Sequence, residues 1–203
     1  WHCIARADAR APLSLMGHEV RPALLLAALL CVPLVHRAEP ALADVPSYER
    51  VRVLETPKPV GDATLTDQHG ATFKLSDLHG KVAFVLFGFT NCPDACPLSM
   101  ERLRELHHSG LVDEDNVAYV MISVDGERDT PAAMNAFVAK YSSDFIGLTA
   151  DPNRVKPIAD QFSAMFFKGS RHLHDGGYEV AHSPQIFVLD PLGRVRAEDE
   201  ERG

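Results

Sequence analysis

A chain of 203 residues, 46% of them apolar, holds enough material for one globular core and too little for two comfortable ones. Its 28 acidic residues against 20 basic ones give a net charge of -8, which withholds the positive field a phosphate backbone requires and excludes nucleic acid as an expected partner. Beyond the N-terminal region no stretch approaches the roughly 20 consecutive apolar residues of a spanning helix, so membrane association is expected only through an N-terminal anchor.

Residues 1–15 contain no methionine and match no targeting class; they read as an upstream extension outside the fold. From Met16, a short segment carrying Arg21 leads into the apolar run 22–35 and then Ala41-Leu42-Ala43. That order is expected of a secretory signal peptide cleaved before Asp44, or of an uncleaved anchor, over residues 16–43. Cys31 lies within the run behind Leu30, where a lipoprotein would carry a small residue, so it reads as an ordinary part of the run. Removing residues 1–43 leaves Cys92 and Cys96 as the cysteines of an exported protein, where a lone close pair points to redox or metal chemistry more than to a staple.

Residues 44–60, with Pro46, Pro57 and Pro59 among charged side chains, read as an extended tether, and the folded domain is expected over 61–203. Residues 64–67 and 72–75 flank the turn Gln68-His69-Gly70, which predicts a β-hairpin with Leu65, Phe73 and Leu75 facing inward. The continuous apolar run 82–87 has the pattern of a central strand covered on both faces. Over 98–108, Met100, Leu103 and Leu106 recur at helical spacing, and 117–124 reads as a second buried strand. Asp129-Thr130-Pro131 supplies a cap and a first-turn proline for a helix over 132–141. A further helix follows Asp151-Pro152, with Val155, Ile158 and Phe162 on its apolar face, and the polar stretch 168–177 reads as a mobile loop. Residues 183–189 form a third strand, turned by Asp190-Pro191-Leu192-Gly193 into a short partner at 194–196, and the acidic end 198–201 reads as solvated. Strands alternating with helices specify an α/β sandwich.

The segment Phe87-Gly88-Phe89-Thr90-Asn91-Cys92-Pro93-Asp94-Ala95-Cys96-Pro97 lies where a buried strand gives way to a helix. The unpaired N–H groups and dipole of a helix N-terminus favour an anion, so the Cys92 thiolate is expected to be unusually accessible. Two cysteines four apart fall on one face if the turn is already wound, which permits a shared ion or a disulfide. Soft thiolates select monovalent copper, or zinc and iron–sulfur clusters when more sulfurs are present; with two, a third ligand must come from elsewhere and histidine leads. His107 and His108 suit a solvated helix end, His69 and His79 sit in turns, and His172 and His174 lie in the polar stretch as auxiliary candidates. His182 stands immediately before an apolar strand at a sheet mouth; on spacing alone a ligand and a capped structural histidine are equally served.

Four segments taken in order resemble the Sco/SenC family of copper-delivery proteins over residues 61–193: Phe87-Gly88-Phe89-Thr90 leading into Cys92-Pro93-Asp94-Ala95-Cys96-Pro97; Ser123-Val124-Asp125-Gly126-Glu127-Arg128-Asp129-Thr130-Pro131; Gly147-Leu148-Thr149; and residues 178–193 with His182-Ser183. The resemblance implies a thioredoxin-like α/β sandwich with an N-terminal β-hairpin, and copper held by Cys92, Cys96 and His182. It further implies that the two cysteines act as a redox pair and that Asp125 supports the ligands from behind. The implied partner is the copper-bearing subunit of cytochrome c oxidase, or another copper protein, reached from a periplasmic or membrane-anchored position facing the periplasm. Ala181 stands where members often carry an acidic residue, and the closing helix common in the family is not expected after Gly193. Pro184 stands where ordinary thioredoxins keep a cis-proline, so Ser183-Pro184 is expected to be cis. The alternative is a thiol–disulfide oxidoreductase that holds no metal; Pro184 supports it, and the three-residue gap between the cysteines, where dedicated oxidoreductases have two, opposes it.

Overall fold

A computed structural model describes residues 51–172, 178–182 and 184–199. Its centre is the strand Val82–Gly88, which the apolar run predicts. To give the elements in chain order, the strands are β1 (Val51–Pro59), β2 (Thr64–Asp67), β3 (Thr72–Lys74), β4 (Val82–Gly88), β5 (Val117–Ser123), β6 (Ile146–Thr149), β7 (Phe166–His172), β8 (Tyr178–His182), β9 (Ile186–Leu189) and β10 (Arg194–Asp199). The helices are α1 (Ala95–His108), α2 (Pro131–Val138) and α3 (Pro152–Phe162).

Ala83, Val85, Leu86 and Phe87 of β4 are all buried, which requires neighbours on both edges and cover on both faces. β5 supplies one edge in parallel register and β9 the other in antiparallel register. Parallel strands need a crossover, and α1 and α2 carry the chain from β4 to β5 and from β5 to β6. The eight-stranded order among the described residues is β1-β10-β9-β4-β5-β6-β2-β3, with the expected hairpin β2–β3 at one margin. Phe87, Phe162 and Phe187 meet edge to face at centroid distances of 5.1 to 6.0 Å, which locks α3 against the two central strands. Val155, Ile158 and Phe162 are the buried face of α3, as the helical spacing predicts.

Four expectations need correction. The tether read over 44–60 is strand β1 from Val51 onward, paired with β10. Proline cannot donate to a ladder, but an edge strand has one unpaired side, and Pro57 and Pro59 are tolerated there. The solvated acidic end begins later than expected, because Glu198 lies in β10, pairs with Arg52 at 2.7 Å and leaves only 12% of its side chain exposed. Of the stretch 168–177 read as a mobile loop, residues 168–172 belong to β7, which forms an antiparallel two-stranded ribbon with β8, Phe166 opposite His182 and Lys168 opposite Val180. A run with no apolar alternation hides such a strand from a period-2 reading. Helix α1 starts at Ala95 and α2 ends at Val138, each three residues earlier than the apolar spacing suggests.

The extension 1–15, the signal or anchor 16–43, the Ser183-Pro184 bond and His174 lie outside the described residues. No helix among the described residues is long and apolar enough to cross a membrane.

Candidate metal centre

The sulfur side of the site is built where β4 stops. A Cβ placed on Gly88 would stand 2.6 Å from Cys96 Sγ and 3.1 Å from the Met121 methyl, so only glycine lets the inner sulfur sit against the strand end. The segment after Gly88 is tied down by Asp129, which is completely buried. Its carboxylate accepts the Thr90 amide at 3.0 Å, the Thr90 hydroxyl at 2.6 Å and the Ser123 hydroxyl at 2.7 Å, while the Thr149 hydroxyl donates to its backbone carbonyl at 2.7 Å. The Asp129 carboxylate thereby joins the cysteine loop to the end of β5, and its backbone carbonyl ties in the end of β6. The cap expected in Asp129-Thr130-Pro131 is Thr130, whose hydroxyl accepts the Ala133 amide at 3.2 Å.

Cys92 precedes the helix and does not share a wound face with Cys96. A tight turn, with the Cys92 amide bonded to the Phe89 carbonyl at 3.1 Å, folds it back over the first turn of α1. Asp94, at the N-cap, makes no side-chain cap. The Cys96 amide instead points to Cys92 Sγ at 3.4 Å, so this sulfur occupies the place of the missing capping oxygen. Both thiols are free; Cys92 is 8% exposed and Cys96 fully buried. Burial pushes the Cys96 thiol far above its ordinary range, the Cys92 sulfur and the Asp129 carboxylate add to the rise, and a hydrogen bond with the Phe89 backbone opposes it. Without a cation the inner sulfur therefore keeps its proton.

The third donor arrives from the ribbon. His182 is the last residue of β8 and not part of a loop, half-buried, with Nε2 at 3.4 Å from Cys92 Sγ and at 3.4 Å from Cys96 Sγ. The three donor atoms all lie within 4.8 Å of one another. The Phe89 ring meets the imidazole edge-on at 5.4 Å, and the Ser99 hydroxyl donates to the Pro184 carbonyl at 3.4 Å, fastening the chain just after His182 to α1. Two sulfurs and one imidazole nitrogen at this spacing fit a soft ion of copper type, with the Cys96 proton displaced on binding.

The remaining candidates lie elsewhere. His69 and His79 are exposed in turns, and His108 Nδ1 caps the Arg104 carbonyl at 2.8 Å. The side chain of His172 is outside the described residues. His107 is no solvated helix end: it pairs with Glu114 at 2.6 Å and packs against the Tyr119 and Phe145 rings. A cavity of about 510 Å³ opens beside it, lined by Lys81, Glu114, Tyr119 and Asp144, at the β5 end remote from the sulfurs. Asp125 is buried, and its carboxylate binds the Tyr178 hydroxyl and the Arg128 guanidinium. Asp129 is the group that residue-by-residue reading passed over, since only its place in an Asp-Thr-Pro helix start was visible there.

Comparison with known proteins matches this geometry to a family. The chain is 31% identical over 134 residues to the SCO2-like protein of Rickettsia felis, covering 66% of this chain and 65% of that protein, just under two thirds of the relative's length. Among solved structures it is similar to Bradyrhizobium japonicum ScoI with copper bound, at 34% identity and a TM-score of 0.63, over 68% of this chain and 86% of that one. It is also similar to apo Sco1 from Thermus thermophilus, at 31% identity and a TM-score of 0.65, over 73% of this chain and 84% of that one. The fold is accordingly the thioredoxin-like sandwich. Residues 53–199, nearly the whole of the described chain, match SCO1/SenC, and the chain belongs to that family.

Proposed function

We propose that the protein binds copper through Cys92, Cys96 and His182 and delivers it to the dinuclear copper centre of cytochrome c oxidase. The observation that carries this reading is the convergence of two sulfurs and one imidazole nitrogen within 4.8 Å, in a chain similar to a ScoI with copper bound. Soft sulfur donors favour monovalent copper, and two thiolates with one imidazole leave coordination space for a partner's thiol to enter as cargo leaves. The N-terminal amide of α1 and the Asp129-braced loop support the sulfurs in place, while the half-buried imidazole is the donor nearest to exchange with solvent or partner.

By exchange with a partner's disulfide the same two thiols can close into one disulfide, the two electrons and two protons passing to the partner, which leaves as a dithiol; the oxidised form offers no thiolate for copper. The partner is the copper-bearing subunit of the oxidase or another copper protein, met by an exported chain that is periplasmic or anchored facing the periplasm. The oxidoreductase reading draws on Pro184 alone, whereas an imidazole directed at both sulfurs favours metal.

Titration of the reduced protein with copper(I) under competition by a chelator tests the binding. One equivalent is expected, weakened at least about tenfold in His182→Ala. Substoichiometric binding indifferent to that substitution would sink the reading. Incubation of the loaded protein with a copper-free oxidase subunit tests delivery, and retention of all copper by the donor rejects it.

A further inference from the structure

The imidazole rides on a ribbon that shares no strand pairing with the main sheet among the described residues, so its aim depends on how the ribbon is fastened. Strand alternation puts Tyr178, Val180 and His182 on one face of β8 and Ala181, which is exposed, on the other. At roughly 3.3 Å per residue, Tyr178 lies about 13 Å along the strand from His182. A small void of about 60 Å³, lined by Val124, Asp125, Phe166, Tyr178 and Val180 with others, leaves the apolar contact under the ribbon incomplete.

The polar contacts concentrate at Tyr178. Its hydroxyl donates to one oxygen of the buried Asp125 carboxylate, and the other oxygen of that group takes Arg128 Nε. Arg128 Nη1 donates to the Tyr178 carbonyl at 3.2 Å, and its guanidinium lies 4.0 Å from the centre of the Tyr178 ring. Lys168 Nζ, from the facing strand β7, stands 3.7 Å from the same ring centre and pairs with Glu127 at 2.8 Å. The Arg128 guanidinium is also 5.9 Å from the centre of the Phe89 ring, the ring that abuts His182. Burial and the bond to Asp125 push the Tyr178 hydroxyl above its ordinary range, so it stays a donor in neutral and mildly alkaline solution.

We propose that Tyr178, gripped by Asp125 and Arg128, is a positioning residue that sets the register of β8 and so keeps His182 facing the two sulfurs. A slip of one residue would turn the imidazole to the outer face, where Ala181 now stands. The proposal rests on the copper reading above for its consequence, though not for its geometry.

The test is Tyr178→Phe in the full chain, which removes the hydroxyl and keeps the ring against both cations. Copper(I) affinity is expected to fall about tenfold to a hundredfold, as for other groups that orient a ligand from behind. The same substitution made on His182→Ala should cause no further loss, because it acts through that imidazole. In the metal-free protein, amide exchange at Val180 and His182 should speed at least about tenfold while that of β4 and β5 is unchanged. Unaltered affinity in Tyr178→Phe, or an equal loss in the His182→Ala background, overturns the proposal. Should the wild-type chain bind no copper, the functional reading fails by itself, and exchange still judges the clamp: unaltered rates at Val180 and His182 reject it.

Discussion

The sulfur side and the imidazole side of the site are held by different kinds of structure. Cys96 is seated in the core, against the end of β4, and the loop before it is bonded through Asp129 to two other strands. His182 comes from a ribbon joined to the body by a cluster of side chains around Tyr178 and by the anchor of Pro184 on α1. A perturbation on the first side must be felt by the whole domain, since it opens a buried, fully bonded region. A perturbation on the second can remain local, since no ladder of the main sheet has to break. Ligand supply is thus divided between a rigid half and a half that moves at lower cost.

Asp129→Ala attacks the rigid half most directly. It strands two hydroxyls and one amide in the interior, and the reduced metal-free protein is expected to lose about 3 to 5 kcal/mol of stability in urea unfolding. A loss below about 1 kcal/mol would mean that the loop is not anchored there. Gly88→Ala comes next: its methyl collides with Cys96 Sγ, so about 1 to 3 kcal/mol of stability and a measurable part of the copper affinity should go together. Tyr178→Phe gives the contrast, with a change of at most about 1.5 kcal/mol in global stability despite its effect on affinity. Thr130→Ala removes only the cap of α2; about 1 kcal/mol is expected in the same unfolding experiment, with copper affinity untouched.

The last effect is nil at neutral pH and grows in alkali. Burial holds the Cys96 thiol of the folded metal-free protein far above the ordinary thiol range, so in alkali the folded state keeps a proton that the unfolded state releases. The stabilisation is therefore complete below about pH 9 and declines as pH rises toward the folded pKa. Denaturation curves from pH 7 to 10.5 should show that decline, and Cys96→Ala should flatten it. A stability that climbs through this range would contradict the burial argument.

Much of this plan was legible because local periods carry it. The run 82–87, the hairpin at 64–75 and the apolar faces of α1 and α3 follow from spacings of two and of three to four residues, and two prolines mark helix starts. The meeting of Cys92, Cys96 and His182, 90 residues apart at the extremes, did not follow from spacing; family-like segments pointed to it. What escaped was long-range or masked by composition. Asp129 finds its partner Thr90 39 residues upstream, and no local pattern reports such a bond. β1 hid behind its prolines, β7 behind a polar run, and His107 behind its place at a helix end, where it is in fact enclosed by aromatic rings from β5 and the segment before β6.

The unequal depth of the two sulfurs has a consequence for the order of events. Anything approaching from solvent encounters Cys92 and the imidazole at the entrance, and reaches Cys96 only behind them. An incoming thiol or alkylating reagent is thus received at the outer sulfur first, and the inner one, walled in by Gly88 and the methyl of Met121, is the last contact a departing guest would relinquish.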